Sequence, residues 1–136
     1  MGEYLRAVGI APDIVLSSDA RRAKKTARKI YEKAGMDGVP LIFERKLYDI
    51  DSDSMCRYIQ SLSDDYDSVM IVGHNPAISE CALEYSANDI FGWIPTTGVA
   101  ILKFESEGWR DISVETIVES TLLTPKTIGS GESRGG

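Results

Sequence analysis

The sequence predicts an α/β domain: a layered sheet flanked by helices, with a small antiparallel edge. Two observations carry this. Short apolar runs of strand type alternate with helical segments bearing one apolar stripe through most of the 136 residues. Near the end, two such runs (99–104 and 109–114) are separated only by a turn at Glu107-Gly108, the pattern of a hairpin. At 43% apolar and 26% charged residues, the chain has the composition and length of one globular domain with a real core. The domain is expected to span residues 1–123. Residues 124–136, rich in Gly, Ser and Thr, read as a flexible tail.

Glu3 to Val8 has the character of the last turns of a helix, closed by Gly9 as its C-terminal cap. After Pro12, Asp13 to Leu16 forms a short strand, and Ser17-Ser18-Asp19 offers N-cap side chains for a helix running to Ala34. Ala23, Ala27, Ile30, Tyr31 and Ala34 fall on one face of that helix. Pro40 to Phe43 is a second strand, and Asp51-Ser52-Asp53 caps a helix whose buried stripe is Met55, Ile59 and Leu62. Ser68 to Val72 is the strongest strand signal, an unbroken apolar run suited to a central parallel strand. It ends in Gly73-His74-Asn75-Pro76, where Asn75 suits an N-cap and Pro76 the first helical position of a helix reaching Ala87.

Several function classes lose support from composition. No stretch approaches the ~18 apolar residues of a membrane span, and the N-terminus lacks a signal-peptide pattern, so a cytoplasmic protein without a membrane partner is expected. Cys56 and Cys81 lie in separate amphipathic segments and read as buried or half-buried thiols. With one histidine and no cysteine cluster, no metal site is expected. A net charge of −6 argues against nucleic acid as a partner. Its distribution is uneven: residues 19–34 hold seven Lys and Arg against Asp19 and Glu32, so the rest of the chain carries −11. Such a helix attracts an anion or an acidic partner, unless it is simply a solvated face.

Two strand-to-helix junctions could carry chemistry: Leu16-Ser17-Ser18-Asp19-Ala20-Arg21-Arg22 and Val72-Gly73-His74-Asn75-Pro76. In α/β sheets ligands gather beyond the carboxyl ends of the strands, and each junction opens a helix whose free N–H groups and dipole favour an anion. Arg22 adds a guanidinium that matches phosphate oxygens with paired hydrogen bonds; His74 adds an imidazole. Taken singly, Ser17, Ser18 and Asn75 could merely cap helices, His74 could be a satisfied histidine, and Arg22 a surface charge. Together they point to a phosphoryl group.

Ser17-Ser18-x-x-x-Arg22-Ala23-x-x-Thr26-Ala27 resembles a segment of the histidine phosphatase superfamily, and Val72-Gly73-His74-Asn75-Pro76 resembles its second histidine motif. Leu47-Tyr48 and Pro95-Thr96-Thr97-Gly98 resemble the SixA-type phosphohistidine phosphatase branch, so the likeness runs from Pro12 to Leu123. The resemblance implies a three-layer sheet like that of phosphoglycerate mutase. It also implies a hydrolase that moves a phosphoryl group from phosphohistidine, another phosphoprotein or a small phosphoester onto a nucleophilic histidine, with water completing the reaction and no cofactor. By resemblance Arg22 and His74 are catalytic and bind the phosphoryl oxygens with Ser18 and Asn75, while Thr96 and Thr97 line the pocket.

The chain departs from the family pattern in two places. The nucleophile of the family lies in an Arg-His-Gly motif on a first strand, inside the sheet, and His74 is the only histidine here. The fold is therefore expected to lack that strand, and the chain alone to be inactive. An N-terminally incomplete chain explains this, as does a non-catalytic phosphate-binding relative; the helix already under way at Glu3 favours the first. A docking module using the basic helix is a third alternative. Asp19 replaces the usual proline and sets a negative charge near the phosphate. Asp49 and Asp51 follow Leu47-Tyr48 with no firm role as a general acid.

Overall fold

The computed structural model describes residues 1–86, 94 and 99–123. Strand β1 (Ile14–Ser18) is buried along its whole length, as a parallel strand covered on both faces must be. It pairs in parallel with β2 (Leu41–Glu44) on one side and β3 (Val69–Val72) on the other, Val15 standing between Leu41 and Met70. Side chains alternate along a strand, so Ile14 and Leu16 enter one apolar layer and Val15 the other. The first layer is covered by α3 (Ser52–Gln60) and α4 (Ala77–Tyr85) through Met55, Ala77, Cys81 and Tyr85. The second is covered by α1 (Gly2–Ala7) and α2 (Arg21–Lys33) through Leu5 and Ile30, with Ala34 and Met36 beyond. Helix, sheet and helix give the expected three layers. Gly2 lets the two outer helices meet closely, because a Cβ there would stand 2.5 Å from Lys33 Cβ.

A second, antiparallel sheet joins β4 (Val99–Phe104) to β5 (Ile117–Leu123). Leu102 and Phe104 pack into the α3–α4 layer, whereas Val99, Ile101 and Leu123 pack into the α1–α2 layer. Both sheets thus lie between the same helical layers, yet β3 and β4 are not hydrogen-bonded to each other. Among the described residues, the edge of β3 facing away from β1 has no strand partner.

Three local expectations need correction. The second hairpin strand is 117–123, not 109–114: Trp109–Asp111 forms a 3-10 turn instead. Trp109 explains this, since its indole N–H donates to the Tyr66 carbonyl at 2.8 Å and its backbone N–H to Asp64 Oδ1 at 3.0 Å. Those bonds tie the segment to the α3–β3 connection rather than to β4. The serine cluster does not cap α2: the N-cap is Ala20, with no side-chain cap bond. Asn75 likewise does not cap α4, whose N-cap is Pro76 after a cis Asn75–Pro76 bond. Asp51 does cap α3 as expected, accepting from Ser54 N at 2.7 Å. Gly9 and Gly35 follow α1 and α2 with φ of 75° and 66°, left-handed positions that glycine occupies at no steric cost. Among the described residues, no helix is long and apolar enough to cross a membrane. The expected tail, 124–136, lies outside the described residues.

Candidate phosphoryl-binding site

Parallel pairing brings the two junctions to one end of the sheet. Ser17 stands opposite Val72, so Ser18 and Gly73-His74 leave the sheet side by side. His74 Nε2 and Ser18 Oγ are 3.1 Å apart, within hydrogen-bond distance. Ser18 is fully buried, and its Oγ also accepts from Ala20 N at 3.2 Å. Buried hydroxyls without partners are costly; these contacts satisfy Ser18 and fix the imidazole. Asn75 is held differently. Its amide donates to the Ile94 carbonyl at 3.0 Å, and its oxygen accepts from Ser79, whose hydroxyl in turn accepts from Ile94 N at 2.8 Å.

His74, Asn75 and Pro76 line a cleft of about 460 Å³ together with Leu47 to Ile50 and Ala20. Of the two carboxylates after Leu47-Tyr48, Asp49 lines the cleft and Asp51 does not. Asp49 holds φ at 52°, a left-handed conformation that Asp tolerates better than most residues. Gly73 serves packing as well as approach: a Cβ there would meet Met55 Cε at 3.2 Å. The two threonines, Thr96 and Thr97, lie outside the described residues.

Arg22 occupies the second position of α2 with its side chain exposed, and it is not among the residues lining the cleft. A neighbouring open hollow of about 510 Å³ is lined by Asp19, Arg21, Lys24, Lys25 and Arg28. The negative charge of Asp19 is countered there, since its Oδ2 lies 3.6 Å from Arg45 Nη1. The Arg45 guanidinium in turn lies 5.4 Å from the centre of the Tyr48 ring. These links could not be seen in the sequence, because Asp19 and Arg45 are brought together only by the β1–β2 pairing. Among the described residues, no group of three or more His, Cys, Asp or Glu side chains could hold a metal ion.

The architecture is that of two solved structures named phosphohistidine phosphatase SixA. The one from Agrobacterium tumefaciens superposes with a TM-score of 0.69 at 24% identity, over 76% of this chain and 68% of that one. The one from Nakamurella multipartitia gives 0.67 at 21% identity, over 90% and 76%. Identities this low establish a shared fold. In sequence, the chain is 30% identical to protein ML1117 of Mycobacterium leprae (strain TN) over 123 residues, covering 85% of this chain and 73% of that protein. Rv1276c of Mycobacterium tuberculosis (strain ATCC 25618 / H37Rv) is 29% identical over 120 residues, 82% of this chain and 72% of that protein. The chain belongs to the family of ML1117, a protein whose name assigns it no activity. No protein-family model matches it.

Proposed function

We propose that this chain forms the phosphoryl-binding part of a SixA-type phosphatase, acting on phosphohistidine, another phosphoprotein or a small phosphoester through a phosphohistidine intermediate. One observation carries the proposal. His74 and Ser18, from the ends of two adjacent parallel strands, are hydrogen-bonded at 3.1 Å beside an open cleft. That is where an α/β sheet binds its ligand. In this reading His74 donates to the phosphoryl oxygens and Arg22 reaches them from the first turn of α2, while Ser18 and Asn75 hold the loop. This reading assigns proton transfer to the leaving group to Asp49, the one carboxylate of the cleft lining among the described residues. Phosphoryl transfer of this kind rests on positioning and charge.

Turnover by this route needs a nucleophilic imidazole besides His74, and the 136 residues contain no second histidine. We therefore read the chain by itself as a binder that does not turn over. The edge of β3 that has no strand partner among the described residues runs directly into Gly73 and His74, and in this reading it is where a further strand would deliver that imidazole. The lone histidine also favours a second reading, a phosphoprotein-binding relative without catalysis. Thermal unfolding with inorganic phosphate, sulfate or vanadate tests the shared premise. Ligand at a hundredfold over its Kd should add about 2.7 kcal/mol to stability. His74→Ala and Arg22→Ala should each remove most of this, and Lys29→Ala little. Equal losses from all three would replace the site with a diffuse basic surface. Hydrolysis of a phosphohistidine peptide that His74→Ala abolishes would overturn the assignment of His74.

A further inference from the structure

Helix α2 is charged in a way that works against its own formation. Seven of its thirteen residues are Lys or Arg, spread over the half of the helix opposite the buried Ala23, Ala27 and Ile30. Arg21 and Arg22 occupy the first turn, which holds no acid, although the helix dipole disfavours cations there. Arg21/Lys25, Lys24/Arg28, Lys25/Lys29 and Lys29/Lys33 are like-charge pairs at the i,i+4 spacing, where repulsion is direct. Among the described residues, none of the seven has a carboxylate within ion-pair distance. Solubility does not require them, since they reduce the magnitude of a net charge of −6. Local conflicts of this kind are expected where a surface is shaped by what it binds.

The face is also partly organised. Lys24 Nζ and the Arg28 guanidinium lie 5.3 and 5.1 Å from the centre of the Phe43 ring, a cation–π contact that holds both on the surface. With Arg21 and Lys25 they line the hollow beside Asp19. Ala20, between Asp19 and Arg21, lines the His74 cleft. The cationic face therefore starts beside that cleft, at Ala20, and extends for about 20 Å, the length of the helix.

We propose that this face docks an acidic segment of a partner protein whose phosphorylated residue enters the His74 cleft. The proposal rests on the phosphoryl-binding reading and narrows it, from any phosphoester to a phosphoprotein with carboxylates flanking the modified residue. A small phosphoester would not reach beyond the first turn and leaves Lys25, Lys29 and Lys33 without a role. An extended polyanion such as nucleic acid would overrun the helix onto a remainder carrying −11, where it is repelled. A compact acidic segment matches the size of the face.

Two synthetic twelve-residue peptides test this, each bearing one central phosphoserine, the first flanked by Glu and the second by Gln. Binding to the 136-residue chain at low salt should favour the Glu peptide by roughly tenfold, and the preference should shrink as salt screens it. Lys25→Glu/Lys29→Glu should abolish the preference while leaving protection by inorganic phosphate unchanged, and the milder Lys25→Gln/Lys29→Gln should reduce it with unfolding still cooperative. Equal binding of the two peptides, or a preference that survives charge reversal, overturns the proposal. So does a single-stranded oligonucleotide of equal charge that outcompetes the Glu peptide. The phosphoryl reading fails separately: a Glu preference that persists in His74→Ala, with no response to inorganic phosphate in either protein, would keep the docking face and remove the site.

Discussion

Where β3 gives way to α4, the chain is tied by its own side chains: His74 to Ser18, Asn75 to Ser79 and Ile94. Where β1 gives way to α2, no side chain caps the helix, and two arginines stand exposed in its first turn. The two junctions leave the sheet at the same end and border one cleft, yet they are built for different tasks. The first is fixed by hydrogen bonds within the chain. The second carries cations that no carboxylate among the described residues pairs, and in the proposed function a ligand would pair them. Stability should therefore be concentrated in one junction, and binding energy shared with the other.

The largest expected effect breaks the tied junction. Ser79 is fully buried, and Ser79→Ala would leave the Asn75 carbonyl and Ile94 N without their partner. Loss of these part-buried hydrogen bonds should cost about 0.5–1.5 kcal/mol each, whereas an exposed change such as Lys25→Ala should stay within about 0.5 kcal/mol. Chemical denaturation of the two variants measures both. A Ser79→Ala loss no greater than that of Lys25→Ala would erase the contrast between the junctions.

The next expected effect has the opposite sign. Arg21→Glu should stabilise the chain by about 0.3–1 kcal/mol, since it places an acid where the α2 dipole favours one and removes a repulsion with Lys25. The same change should weaken binding of acidic ligands. If Arg21→Glu destabilises the fold, Arg21 has a native partner and the helix is not in conflict with itself.

Much of this arrangement is legible in the sequence, and what is not has a common cause. Ile14-Val15-Leu16 and Val69 to Val72 announce strands because packing against an apolar layer on each face leaves no polar position, and Asp51 announces a helix start because capping is a local event. The two junctions that carry Arg22 and His74 are legible as two motifs in order, but the Ser18–His74 contact depends on strand register. The 3-10 turn at Trp109 is set by Asp64 and Tyr66, more than forty residues away in sequence. Asn75 looked like a cap because its type suits one, yet a buried Ser79 and the distant Ile94 claim its side chain. Each miss is a long-range partner overriding a local preference.

The cysteines show the same lesson and permit a sharper measurement on the tied side. Their Sγ atoms lie 2.9 Å apart, joining α3 to α4, though they are 25 residues apart in sequence. The hydrogen bond from Cys81 holds the Cys56 thiol below its ordinary range. Giving that bond, together with burial, pushes the Cys81 thiol up. Because the thiolate is the reactive form, iodoacetamide near pH 7.5 should modify Cys56 first and leave Cys81 intact until the chain unfolds. Peptide mass mapping over time reads this directly. Equal rates at the two positions would mean that α3 and α4 separate readily and that this side of the molecule is not fixed.

The smallest expected effect concerns the cap of α3, which follows the Leu47 to Ile50 wall of the cleft. Asp51 Oδ1 accepts from Ser54 N at 2.7 Å, and that bond, more than the charge of Arg57, holds its carboxyl below the usual carboxylate range. A carboxyl lowered on folding stabilises the native state above its unfolded pKa of about 3.9 and loses that contribution as pH falls through the folded value. Asp51→Ala should therefore lower Tm at pH 7, and the gap to the parent chain should narrow as both are acidified below about pH 4. Because Asp51 is exposed, added salt should shrink the part due to charge and leave the part due to the hydrogen bond. Asp51→Asn separates the two: it keeps an acceptor for Ser54 N, so it should melt close to the parent chain while losing the acid dependence. A gap that stays constant from pH 7 to pH 2 would show that the cap acts through geometry alone, which would make the α3 wall, like the β3–α4 junction, indifferent to charge.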